Sequence, residues 1–143
     1  MVAKAERIEG ATKTLVGEAA WEVLKLTVDQ ASGKCAPFLI GGKKLASIHS
    51  PTLAAATEIF INASNWSSVT QPDTDTGFVD NQIIPLDADF KKLFDESDTE
   101  VKLPSSNGDK VHSIPNVGYI KWCQLELENA QAADTVFYAI LKG

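Results

Sequence analysis

Two histidines, two cysteines, one loop tryptophan and a short acidic run are the residues whose types could do chemistry. His49 and His112 each sit beside a serine at the end of an expected strand, but neither has a further His, Cys, Asp or Glu at a spacing that marks a metal site or a nucleophile–base pair. Structural or surface roles are the expectation for both. Asp73-Thr74-Asp75-Thr76-Gly77 places acidic oxygens at alternate positions, as a calcium loop does. It lacks the third alternate ligand, where Gly77 stands, and the downstream bidentate Glu, so a plain turn is the better reading. Trp66 lies in the same polar stretch, where a large, stiff ring suits sugar stacking or a protein contact, or folds back as a lid on the core. Trp66, Asp73 and Asp75 are therefore the candidate partner-contact residues. Cys35 and Cys123 are far apart and have no ligand-spaced partners; two reduced, buried thiols are expected. No phosphate loop, nucleophile elbow or framed acid pair is present, which predicts a protein that is not an enzyme and needs no cofactor.

The elements that must position these residues are mostly strands. With 143 residues, 44% hydrophobic and 22% charged, the composition is that of an ordinary globular domain. Thirteen basic against nineteen acidic residues give a net charge of −6, which repels a phosphate backbone, and no basic cluster offers a local exception. No apolar run reaches the ~20 residues a spanning helix needs, and Met1–Arg7 is not followed by a secretory apolar segment, so neither nucleic acid nor a membrane is an expected partner and synthesis in a cytoplasm is expected. Lys43-Lys44 and Lys91-Lys92 read as solvated turns or faces.

Residues 1–20 carry alternating charge and few apolar anchors, predicting an arm that is disordered or ordered only on a neighbour, ahead of a domain spanning 21–143. Within that domain Leu24, Leu26 and Val28 alternate with polar residues, as in a strand. An edge strand is expected from Phe38, turning at Gly41-Gly42 into a hairpin partner over Leu45–His49 that ends at Ser50-Pro51. Three alanines interrupt before Ile59 and Ile61 resume a strand with one apolar face. A further strand is expected over Phe78–Leu86, then one short helix where Phe90, Leu93 and Phe94 lie at i, i+3 and i+4 behind an Asp cap, its phenylalanines plugging one end of the fold. Thr99–Leu103 reads as a strand, with Asn107-Gly108 marking a turn. Val117–Leu127 and Thr135–Leu141, the densest apolar runs, look like an antiparallel pair joined by the polar surface connection Glu128–Asp134.

Along Val117–Leu127 the second half alternates apolar with acidic and the first half does not. Either a bulge near Trp122 re-phases the strand or its first half is covered on both faces. Val136, Tyr138 and Ile140 oppose Phe137, Ala139 and Leu141, again apolar on both sides, which points to covering by an arm, a loop or a neighbouring subunit. About eight strands with turn signals between them and no long amphipathic helix predict an all-β, antiparallel β-sandwich or jelly roll.

Ala46-Ser47-Ile48-His49-Ser50-Pro51, followed by Ala55-Ala56-Thr57-Glu58-Ile59-Phe60-Ile61, resembles a turn-and-strand pattern of small β-sandwich structural proteins of tailed bacteriophages. Gly118-Tyr119-Ile120-Lys121, Asn129–Asp134 and Val136–Leu141 look like their closing hairpin, with its basic residue kept as Lys121. The likeness covers residues 46–143; residues 1–45 show none. It implies a non-enzymatic virion component made in a host cytoplasm. That component would be a capsid decoration (cement) protein, or else a head-completion or tail component, with the major capsid protein or other virion proteins as partners and homo-oligomers as its working state. A rival reading is a carbohydrate-binding jelly roll on a host-attachment structure, using Trp66 with Asp73 and Asp75.

Overall fold

The computed structural model describes residues 3–7, 21–41, 43–67, 85–115 and 120–143, and these form an all-β, antiparallel fold. Eight strands are present among them: β1 (Lys4–Arg7), β2 (Trp21–Val28), β3 (Phe38–Leu39), β4 (Lys44–Ser64), β5 (Lys91–Lys92), β6 (Lys102–Ser113), β7 (Trp122–Leu127) and β8 (Thr135–Lys142). They hydrogen-bond in the order β1-β2-β8-β4-β7-β3, with β5 and β6 also paired to β4, in one nearly closed, barrel-like sheet.

β4 is the organising element. Its first half, Lys44–His49, pairs with β8, and its second half, Ile59–Ser64, pairs with β7. β6 runs along the opposite edge of both halves. Between the halves the ladder is broken: Thr52 lies opposite Gly108 and Thr57 opposite Ser106, so Leu53–Ala56 bulge out of register. Across this break β6 is kinked too, with Ser106, Gly108 and Asp109 all at positive φ. The bend lets the two half-sheets enclose one core. Leu24, Leu26, Ile48 and Phe137 from one half cluster with Ile59, Ile61, Leu125 and Phe38 from the other.

Several sequence expectations need correction at this level. β7 and β8 are not a hairpin: each pairs with β4, and they follow one another along the same β4 edge. The connection that looked like a surface turn lies beside the bulge and bridges it. The Glu128 amide donates to the Glu58 carbonyl (3.1 Å), Asn129 Nδ2 donates to the Ala56 carbonyl (2.9 Å), and buried Gln131 exchanges two bonds with the Ala55 backbone. These side chains complete the ladder that the bulge would leave open, so the strand continues through Pro51 and the three alanines instead of stopping there. Likewise β3 is an edge strand, as expected, but pairs with β7 and not with Leu45–His49. Asn107-Gly108 kinks β6 from within rather than closing a hairpin.

The expected helix shrinks to a single 3₁₀ turn, Asp87–Asp89, in which Asp89 Oδ2 accepts from the Leu86 amide (2.9 Å). A longer helix of this length would be poorly nucleated, and the backbone beyond finds better partners: Lys91 and Lys92 pair with β4 as β5, and the Leu93 amide donates to the Ile61 carbonyl (2.9 Å). Phe90 is buried, but Phe94 is 48% exposed and plugs nothing. Of the expected arm, Lys4–Arg7 forms β1 on the chain's own β2, with Ala5 in the core, so this stretch needs no neighbour to be ordered. Residues 8–20, most of the Phe78–Leu86 strand and the Val117–Tyr119 start of the closing run lie outside the described residues. Where β7 is described it stays in register with β4 and is buried on both faces, Trp122 and Gln124 on one, Cys123 and Leu125 on the other. From Trp122 onward, then, no bulge interrupts the strand and both of its faces are covered.

Candidate functional site

Trp66 stands in solvent, 65% exposed, on a pinned backbone. The Ser64 hydroxyl donates to the Trp66 carbonyl (2.7 Å), and the neighbouring Asn65 Oδ1 accepts from the Lys121 amide (2.7 Å). The ring is therefore not a lid on the core. Asp73 and Asp75 lie outside the described residues. His49 and His112 do not converge: His112 is opposite Ile48, one residue from His49, so the two imidazoles project from opposite faces of the sheet. Burial, and Lys110 nearby, push the half-buried His112 below the ordinary histidine range. Among the described residues no group of three or more His, Cys, Asp or Glu could hold a metal ion.

Both cysteines are free and buried. Cys35 is fixed by geometry, its sulfur accepting the Leu125 amide (3.2 Å) and its thiol donating to the Ala36 carbonyl (3.2 Å). Burial pushes its pKa up to about 12, and burial, reinforced by Cys35, pushes Cys123 up as well. A thiol held protonated is a poor nucleophile. The folded protein should therefore leave both cysteines unmodified by a disulfide-exchange reagent at pH 8, and both should react once the chain is unfolded in guanidinium; prompt labelling of native protein would contradict this placement.

The outer face of the β7 half carries a polar network. Lys34 Nζ bonds Asp87 Oδ2 (2.9 Å), Gln124 Nε2 donates to Asp87 Oδ1 (3.2 Å) and to the Cys35 carbonyl (3.1 Å), and Asn62 Nδ2 donates to Glu126 Oε1 (3.1 Å). Lys92 lies 3.4 Å from the Phe60 ring centroid and completes the set as a cation over an aromatic face. The Lys34 bond, aided by Gln124, holds Asp87 below its ordinary value of 3.8. Because folding lowers that pKa, the pair's stabilisation is present at neutral pH and disappears as pH falls through 3.8 and then through the lower folded value. The carboxylate is largely solvent-exposed, so the effect is small. Asp87→Asn should cost less than about 1 kcal/mol at pH 7 and less still at pH 2, measured by urea unfolding at both pH values.

Two surface features remain. One is a cleft of about 390 Å³ at the end of the fold where β4 begins and β8 finishes. Its walls are Ile40, Leu45, Leu93, Ile114 and Ile120, with Cys123 also lining it, and Lys43, Lys44 and Lys142 belong to it. The other is an outward strip across three strands. In register, Tyr138 of β8 lies beside His49 of β4, which lies beside Val111 of β6. Val111 is 63% and Tyr138 38% exposed, and Val136 and Ile140 on the same face of β8 are half-buried. The sequence showed this face as the second apolar side of the last strand; that His49 and Val111 extend it depends on pairings no local pattern contains. The cleft escaped the sequence reading altogether, since Lys43-Lys44 looked like an ordinary solvated turn.

Fold and surface together define a bent-strand, antiparallel β-barrel-like protein with an apolar outer strip and a lysine-bearing cleft. No protein family, curated protein or solved structure matches this chain.

Proposed function

We propose that this chain is a non-enzymatic structural protein of a tailed-phage virion, decorating or stabilising the capsid through subunit–subunit contacts. The observation that carries this reading is the Tyr138–His49–Val111 strip with Val136 and Ile140 beside it. Apolar side chains on the outside of a sheet, including an aromatic with a polar tip, are what a contact surface needs and what a solvated face does not. His49 and the β8 residues of the strip fall in two of the segments that resemble phage proteins, Ala46–Pro51 and Val136–Leu141. The net charge of −6 suits a subunit that must stay soluble before it assembles.

The test is sedimentation of the purified chain, alone over a concentration series and mixed with capsid shells that lack it. Self-association or shell binding that Tyr138→Asp weakens tenfold or more, at unchanged thermal stability, is the expected result. A chain that stays monomeric at every concentration and binds no shell, or one whose association is indifferent to Tyr138→Asp, overturns the reading.

The exposure of Trp66 favours a second reading, a carbohydrate-binding module of a host-attachment structure. Glycan-array binding that is lost in Trp66→Ala would establish it in place of the first; a blank array with wild-type protein would remove it.

A further inference from the structure

The lysine-bearing cleft shares no residue with the outward strip, so what it does is independent of the assembly reading. Leu45, Leu93, Ile114 and Ile120 pack against the main core but are only partly buried, leaving apolar surface turned toward the cleft. The Cys123 thiol beside them is held protonated by burial. At about 390 Å³ the space falls within the roughly 300–1,000 Å³ of small-molecule sites, which occur preferentially at such places as the mouths of β-barrels.

Three lysines stand at the rim, one of them already paired. Lys44 and Lys142 are direct cross-strand partners between β4 and β8, an arrangement in which like charges repel. Lys43 is next in sequence and is held by the buried Glu22 carboxylate at 2.8 Å. Lys44 is exposed and has no ion-pair partner among the described residues. Three ammonium groups thus gather at one end of an apolar cleft in a protein of net charge −6. An anionic group beside Lys44 gives that exposed ammonium a counter-charge, and an attached hydrocarbon chain covers the exposed parts of Leu45, Leu93, Ile114 and Ile120.

We propose that this cleft binds an amphipathic carboxylate of the fatty-acid class, its alkyl chain along the Leu45–Ile120 wall and its carboxylate at Lys44. Binding is non-covalent and needs no change of fold. Both halves of the ligand are required: the chain supplies most of the affinity and the carboxylate its sign preference.

Calorimetric titration of the intact protein with octanoate, decanoate and dodecanoate, each below its micelle concentration, tests the proposal, with dodecyltrimethylammonium as a cation of equal chain length. The expected result is saturable one-to-one binding that tightens roughly fifteenfold for each two methylenes added, as hydrocarbon burial dictates. Dodecyltrimethylammonium should bind at least tenfold more weakly than dodecanoate. Lys44→Glu, at an exposed position where folding is not at stake, should weaken dodecanoate at least tenfold while keeping the chain-length trend. Absence of saturable binding overturns the proposal. So does equal affinity for the ammonium analogue, or a Lys44→Glu variant that binds dodecanoate as the wild type does, either of which would make the cleft an indiscriminate apolar surface.

Discussion

Gly108→Ala should destabilise the protein by about 3 kcal/mol, about twice the cost of the same change at Gly41. Both glycines sit at positive φ, +79° and +63°. A side chain there costs about 1–2 kcal/mol through its clash with the following carbonyl oxygen. What separates the sites is space. A Cβ at Gly41 meets nothing within 4 Å, whereas a Cβ at Gly108 would lie 2.0 Å from the Pro51 carbonyl oxygen, 2.8 Å from Leu53 Cγ and 3.0 Å from Ser50 Oγ. The nearest of these is backbone and cannot swing aside, so β4 or β6 must shift at the bend, a distortion that adds about 1–3 kcal/mol. For a domain of this size about 3 kcal/mol lowers the midpoint of thermal unfolding by about 6–12 °C, against about 2–8 °C for Gly41→Ala. Paired melting curves of the two variants measure the difference. Equal shifts would mean that the approach of β6 to Pro51 is not what Gly108 is for.

The position of that glycine also shows what was legible in the sequence. Asn-Gly is a strong local turn signal, and the chain does change direction there. The signal reports only backbone freedom, however, and says nothing about whether the strand ends or merely kinks; that is decided by Pro51 and Leu53 across the ladder. The same limit runs through the fold. Period-two alternation correctly placed Leu24, Leu26 and Val28 inward on β2 and Ile59 and Ile61 inward on β4, because facing is a local property of a strand. Pairing is not local. Phe38 was legible as the start of an edge strand, but its partner, Cys123, is 85 positions away. The cleft could not be read because Lys44 and Lys142 become neighbours only through that long-range register, and Trp66 was legible as a loop residue while its exposure was not.

Gln131→Ala should cost about 2–3 kcal/mol, a large effect for a polar residue in a connection between strands. The Gln131 amide does what a strand residue would do at the open part of the β4 edge. Its Oε1 accepts from the Ala55 amide (3.0 Å), and its Nε2 donates to the Ala55 carbonyl (2.9 Å) and to the Asn129 carbonyl (3.3 Å). Truncation leaves the Ala55 groups without partners at a half-buried position, where each orphaned group costs about 1–3 kcal/mol, water recovering part of it. Gln131→Glu separates this reading from mere loss of volume. An ionised carboxylate still accepts from the Ala55 amide but faces the Ala55 and Asn129 carbonyl oxygens with no proton to donate, so its folded-state pKa is raised above the unfolded value of about 4.3. A raised carboxylate pKa means that the destabilisation is complete above the folded value and recedes as pH falls toward 4.3, where the protonated acid donates as the amide did. Relative to wild type, Gln131→Glu should therefore recover stability on acidification while Gln131→Ala does not. Parallel pH dependences for the two variants would show that the amide fills space without completing the ladder, and the bend in β4 would then need another cause.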